Sequence, residues 1–379
     1  MKPLPRFHTS TLFFTLALLA LGLSAPACSS FNPEPDVPEP HEWIALPAEY
    51  EADYFFLPMA LDGDPDRVLW FLYDTGASYT VVDSDSLQEV SAWEPEQGSG
   101  VRFGTLQCGE TKFHKVSAKV MSLEHLKQAI GREFDGILAY SAFAEVLLNL
   151  DYPNSAIRVA KGHLPRADEQ TVFEIHGTNR PYYDATFGST TRRLLLDSGS
   201  GLGFEVHPNR NWDWTIDPIV VGSSMGIDGL QFNFAGRLDA PAHFFGTAYQ
   251  NPILRVSEDT ELVGTEILRD YSLIFDQRAQ RLQVLPVAAL NPKPIPYRGT
   301  GAIFRPTADG MEVIRLVPGS PAEKVGMQIG DKVERSAYLN RDHFEKERSS
   351  SQAYIVRRGG KRFQLEVPVV DLIPVPQNG

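Results

Sequence analysis

The sequence predicts a mainly β protein in which one unit is used twice and a smaller unit follows. Three observations carry this. From residue 52 onward, short runs rich in aromatic and branched residues are separated by turn signals. The tract L-Y-D-T-G-A-S at residues 72–78 returns as L-L-D-S-G-S-G at residues 195–201, and its surroundings return with it. A proline-rich stretch, N-P-K-P-I-P-Y at residues 291–297, then sets off a tail of different pattern. With 379 residues, 42% of them apolar and 22% charged, the chain can fill two or three cores and is not broadly disordered. Its formal charge of −13 argues against nucleic acid as a partner, which would call for clustered Lys and Arg.

Residues 1–28 read as an export signal. Lys2 and Arg6 precede an apolar run at 11–23, and small residues at 25–27 stand just before Cys28. The run is too short for a permanent membrane-spanning helix. The tract S-A-P-A-C-S-S resembles a bacterial lipobox, although Ala25 stands where Leu is commonest. That resemblance implies that Cys28 is lipidated and anchors an exported protein, in the periplasm or at the cell surface. Ser29 in place of Asp after the cysteine points to the outer membrane. Ordinary cleavage after Ala27 is the competing reading. Only Cys28 and Cys108 are present, so a lipidated Cys28 leaves no disulfide and Cys108 reads as a small buried residue. Residues 29–47 form a Pro/acid-rich linker, where F-N-P-E-P-D-V-P-E-P at 31–40 favours an extended spacer.

Residues 48–166 form the first half. Strands are expected at 54–61, 68–73 and 80–82, with D-G-D-P-D-R at 62–67 as a hairpin turn. Residues 97–103, with Gly98 and Gly100, are either a flap over a cleft or an ordinary surface loop. Leu123, Leu126 and Ile130 give residues 122–131 a helical spacing. The second half, residues 167–290, repeats the scheme. Strands at 182–187 and 192–196 lead to Asp197, and further strands are expected at 219–221, 230–234 and 242–245, with Trp212 and Trp214 in the core.

The repeat extends to later tracts. F-D-G-I-L-A at 134–139 is echoed by L-V-G at 262–264; Asp74 precedes Ala139 by 139 − 74 = 65 positions and Asp197 precedes Gly264 by 264 − 197 = 67. These four linked motifs resemble the bilobed aspartic proteases of the pepsin type, each half being similar to a retropepsin subunit, over residues 54–286. The resemblance implies two retropepsin-like β lobes and a catalytic pair, Asp74 and Asp197. Thr75, Gly76, Ser198 and Gly199 would support the catalytic loops, and Ile137, Leu138, Ala139 with Leu262, Val263, Gly264 would form the psi-loop triplets behind them. Two departures stand out: Ala139 replaces the glycine that ends the first triplet, and Gly201 replaces a Ser or Thr. An added methyl at 139 is expected to press on the loop it supports.

Two carboxylates within about 3 Å cannot both ionise, so one keeps its proton while the other takes a proton from water. Water then attacks the peptide carbonyl. No cofactor or metal is expected, since the 9 histidines are scattered and form no His-Glu-x-x-His tract. One rival motif, G-S-S-M-G at 222–226, satisfies the serine-hydrolase elbow, but the chain continues I-D-G-L-Q-F-N-F instead of entering a helix; a turn is the expected reading.

In the tail, a strand at 311–317 precedes P-G-S-P-A-E-K-V-G-M-Q-I-G-D-K-V at 318–333, and Y-I-V-R-R-G-G-K-R-F-Q-L-E-V at 354–367 reads as a hairpin. Residues 298–372 resemble a small α+β PDZ-like domain. Gly299, Thr300, Gly301 and Ala302 would be its carboxylate-binding loop, for the C-terminus of a peptide ligand. Thr300 and Ala302 replace larger apolar residues there, and a purely structural role competes with peptide capture. The expected function is that of an aspartic endopeptidase acting on polypeptides. The alternative is an inactive peptide-binding surface lipoprotein working through its last domain.

Overall fold

The computed structural model describes residues 35–36, 42–90, 98–130, 132–208, 212–226, 229–258, 260–286, 292–307, 310–334 and 350–376. The export signal, Cys28, most of the linker and Gln97 lie outside them. The described chain is mainly β, in sheets of ten, six, nine, two and five strands.

Strand Val68–Asp74 (V-L-W-F-L-Y-D) is almost continuously apolar, as a strand covered on both faces must be. It runs antiparallel to Tyr54–Leu61 on one side and parallel to Gly136–Ala139 on the other, with Ala139 opposite Asp74. Gly136–Ala139 is antiparallel to Thr80–Asp83, which is parallel to Ser117–Met121. The second half uses the same order and directions. Strand Thr190–Leu196 lies antiparallel to Tyr182–Phe187 and parallel to Leu262–Val263, which is antiparallel to Phe204–Val206, itself parallel to Ile253–Val256. The motif repeat is thus a repeat of strand topology, and it places both Asp-bearing strand ends in equivalent positions.

The six-stranded sheet joins the halves. Hairpin Leu147–Asp151 with Ala156–Ala160 comes from the first, and hairpin Tyr271–Asp276 with Arg281–Pro286 from the second; they meet antiparallel with Asn149 opposite Ile274. Ile44–Ala45, in the stretch expected to be spacer, adds as an edge strand, and Val172–Glu174 closes the other edge. One buried apolar cluster runs through both halves, from Leu57 and Tyr73 to Leu196 and Phe275, so no break in the core falls between residues 166 and 167. Arg269 of the second half also pairs with Asp53 of the first at 2.6 Å.

Some expectations shift. The strands expected at 219–221 and 230–234 are parts of one long hairpin, Trp214–Gly226 with Gly229–Leu238. The tract G-S-S-M-G therefore lies along a strand, not in a turn and not at an elbow before a helix, because cross-strand pairing from Gly222–Asn233 to Gly226–Gly229 overrides its local turn preference. Helix Ser84–Val90 was not anticipated; seven residues with one buried leucine show too little periodicity to read. Strand Gly100–Arg102, in the candidate flap, pairs with Ser117–Met121 as the long hairpin pairs with Ile253–Val256. The two are counterparts.

In the C-terminal unit, Tyr297–Gly299 pairs with Val370–Ile373 beside a five-stranded sheet with its own core around Val313, Met327 and Val356. Ser320 caps the short helix Pro321–Lys324, its hydroxyl accepting from the Glu323 amide. This unit docks on the long hairpin. Ser223 Oγ donates to the Phe304 carbonyl, the Arg315 guanidinium sits 5.1 Å from the Phe232 ring, and Tyr297 Oη donates to the Val221 carbonyl at 3.2 Å. Beneath them, the fully buried Arg237 donates Nε to Pro374 O at 2.8 Å, Nη1 to Asn251 O at 2.6 Å and Nη2 to Ile295 O at 2.6 Å. Carbonyls alone satisfy this cation in the bonds it makes here, and burial lowers its proton affinity.

Truncation at Arg237 removes a buried cation together with its bonds to carbonyls from different parts of the chain. Arg237→Ala is expected to lose about 3–5 kcal/mol of stability in urea unfolding, and to open the 291–297 segment to limited proteolysis while both apolar cores survive.

Candidate active site

Each aspartate stands where a buried strand ends in a tight turn. Asp74 follows Val68–Tyr73 directly, Asp197 follows Thr190–Leu196, and both side chains are 0% exposed. The turns are alike. Gly76 N–H donates to Asp74 Oδ1 at 2.7 Å and Gly199 N–H to Asp197 Oδ1 at 2.9 Å, while Ala77 and Ser200 N–H donate to the carbonyls of Asp74 and Asp197, each at 3.3 Å.

The turns interlock through the residues after the aspartates. Thr75 N–H donates to Ser198 Oγ at 2.9 Å and Ser198 N–H to Thr75 Oγ1 at 2.8 Å. Each hydroxyl then donates to the strand of the opposite half: Thr75 Oγ1 to Leu196 O at 2.6 Å, Ser198 Oγ to Tyr73 O at 3.2 Å. Four bonds related by an approximate twofold hold the strand ends together. The glycines permit it. A Cβ on Gly76 would lie 2.6 Å from the Asp197 carboxylate, and one on Gly199 would collide with that of Asp74. Each carboxylate therefore rests on the backbone of the other turn.

The triplets Ile137, Leu138, Ala139 and Leu262, Val263, Gly264 lie directly beside these ends. Asp197 N–H donates to Val263 O at 2.9 Å, and Ala139 N–H to Thr80 Oγ1 at 3.2 Å. Gly264 is needed where it stands, since a Cβ there would meet Leu202 O at 2.5 Å. The Ala139 methyl behaves differently: it joins an apolar cluster with Ala77, Leu72 and Val81, and Asp74 keeps the same turn bonds as Asp197. The expected pressure of residue 139 on the loop is absent.

Burial raises the proton affinity of both carboxyls. At Asp74 the Asp197 charge adds to the effect, holding it well above the ordinary carboxylate range. Asp197 is pushed up to about 6 by burial, with the interaction with Asp74 and the Gly199 amide opposing. One carboxyl of the pair therefore keeps its proton at pH values where an isolated aspartate would be ionised. Their outer oxygens, Asp74 Oδ2 and Asp197 Oδ2, receive no hydrogen bond from the surrounding protein. Tyr73 and Tyr152 are buried nearby, and burial above all keeps their phenols neutral.

The C-terminal loop is elsewhere. Thr300 is buried with Oγ1 3.2 Å from Tyr354 Oη, its carbonyl accepts from the Ala322 amide at 3.0 Å, and that of Gly301 accepts from Val317 at 2.8 Å. Ala302 begins the edge strand Ala302–Thr307, which the long hairpin approaches through Ser223. Cys108 is buried, its thiol pushed up to about 12 by burial, consistent with a packing residue. Sequence reasoning missed the Asp53–Arg269 pair and Tyr54, whose hydroxyl reaches Gly201. An acid just ahead of strand Tyr54–Leu61 and the tyrosine that opens it carry no local signal of a partner so far along the chain. No protein-family model matches this chain, and no curated protein matches it.

Two outcomes follow from the geometry. Gly199→Ala is expected to lose at least about 2 kcal/mol in chemical unfolding, because its methyl displaces the Asp74 carboxylate. For Asp74 the folded-state proton affinity is raised, so its contribution to stability is complete below the unfolded value of about 3.9 and is lost as pH rises toward the folded value. Asp74→Asn should therefore match the parent near pH 4 and gain on it by up to about 1.4 kcal/mol per pH unit above that, read from unfolding curves at pH 4.5 and 7.

Proposed function

We propose that this chain is an aspartic-type endopeptidase in which Asp74 and Asp197 activate one water molecule between them. The observation that carries the reading is the reciprocal interlock of the two Asp-hydroxyl-Gly turns, with each glycine backbone against the other carboxylate. Such an arrangement serves neither turn alone. It brings together two acids that burial prevents from ionising together.

The ionised Asp197 takes a proton from water, and the hydroxide equivalent attacks the scissile carbonyl. Protonated Asp74 supports the developing oxyanion and then delivers its proton toward the leaving amine as the tetrahedral carbon collapses. The Gly76 and Gly199 amides hold Oδ1 of each aspartate, which leaves Oδ2 of each without a protein donor to compete with the reacting atoms. The two halves form a pepsin-like pair of lobes in this reading, and residues 298–372 a PDZ-like unit that binds peptide or regulates the enzyme. Export and lipid anchoring through Cys28 rest on residues 1–28 alone.

The test is hydrolysis of an unstructured protein by residues 41–379. Asp74→Asn and Asp197→Asn should each lower the rate about 10³-fold or more, and a pepstatin-type statine inhibitor should block the parent. The acid limb of the pH profile should fall near 6, where Asp197 gains its proton, with a second loss at higher pH as Asp74 ionises. Equal inertness of all three folded proteins from pH 3 to 9 would overturn the reading.

A further inference from the structure

Tyr54 opens strand Tyr54–Leu61 of the first half, yet its hydroxyl faces the second. Its ring packs beside the cluster containing Ala77 and Ala139, next to the Asp74 turn. Across from it, a Cβ on Gly201 would stand 2.8 Å from Tyr54 Oη. The neighbouring backbone is fixed from both halves: Asp53 pairs with Arg269 at 2.6 Å and accepts from Tyr50 Oη at 2.9 Å.

The position of Gly201 gives this contact meaning. Each active-site turn is buried through the third residue after its aspartate and emerges at the fourth, Ser78 in one half and Gly201 in the other. These positions are equivalent under the internal repeat. Ser78 carries a hydroxyl four residues past Asp74, whereas residue 201 has no side chain to offer one. Tyr54 Oη lies where a side chain at 201 would reach. An extended peptide carries unpaired N–H and C=O groups, and a phenol can donate to one or accept from the other. The missing side chain at Gly201 also clears room for a main chain to approach.

Building on the peptidase reading, we infer that Tyr54 is a substrate-positioning residue. Its hydroxyl binds the substrate backbone beside Asp197, where residue 201 has no side chain of its own to do so.

The experiment uses a peptide spanning a cleavage site mapped in the unstructured-protein digest, with versions shortened residue by residue from either end. Tyr54→Phe should raise KM about tenfold on the full peptide with kcat within about twofold, and leave the melting curve unchanged. In one shortening series the difference between parent and variant should vanish once the contacting residue is removed. Adding Gly201→Ser to Tyr54→Phe returns a hydroxyl to the same place and should restore KM to within about threefold. Equal KM for parent and Tyr54→Phe at every length overturns the inference, as does a loss confined to kcat or accompanied by a lower melting temperature. A parent that neither cleaves nor binds the statine inhibitor defeats the peptidase reading instead, and this inference with it.

Discussion

The structure depends on four hydrogen bonds made by Thr75 and Ser198. They join strand ends separated by 123 residues in the chain, and each hydroxyl both accepts from the opposite turn and donates to the opposite strand. That double use requires the strands to arrive end to end with one orientation. Strand order around each Asp-bearing strand, identical in the two halves, delivers that orientation; the shared six-stranded sheet and the Asp53–Arg269 pair maintain it. Packing and polar bonding thus converge on one point, and the two carboxylates occupy it.

Electrostatics follow from that convergence. Taking two acids out of water penalises charge on either, and placing them together penalises a second charge more. The result is a dyad whose two carboxyls both hold protons more tightly than free aspartate, although each turn supplies its own amide donor. That raised affinity opposes folding at neutral pH. The interlock and the apolar cluster through both halves must outweigh it.

What the sequence disclosed was whatever depends on short range or on repetition. The Asp-hydroxyl-Gly turns, the triplets behind them and strand Tyr54–Leu61 were all legible, because each is written in contiguous residues. Partner choice was not. Nothing in L-N-L-D announces Ile274 as the residue opposite Asn149, and nothing in G-S-S-M-G reveals that Gln231 and Phe232 hold it in a strand. Ala139 shows the limit most directly. As a departure from a pattern it read as a strain on the loop, but only its neighbours, Ala77 and Val81, decide whether a methyl is a strain or a contact.

Arg237 has a consequence for synthesis. Its guanidinium binds Pro374 O, 137 positions further on, as well as Ile295 O, and it lies on the hairpin that belongs to the second half of the core. Until strand Val370–Ile373 and Pro374 have been made and have folded back, that cation is without some of its acceptors. The second half thus reaches its finished state only once the stretch from Ile295 to Pro374 has folded back onto it, and a product that stopped before Pro374 would carry both aspartates on a body still missing its clasp. Folding of the second half is thereby coupled to arrival of the C-terminal unit, through one arginine and the carbonyls it binds.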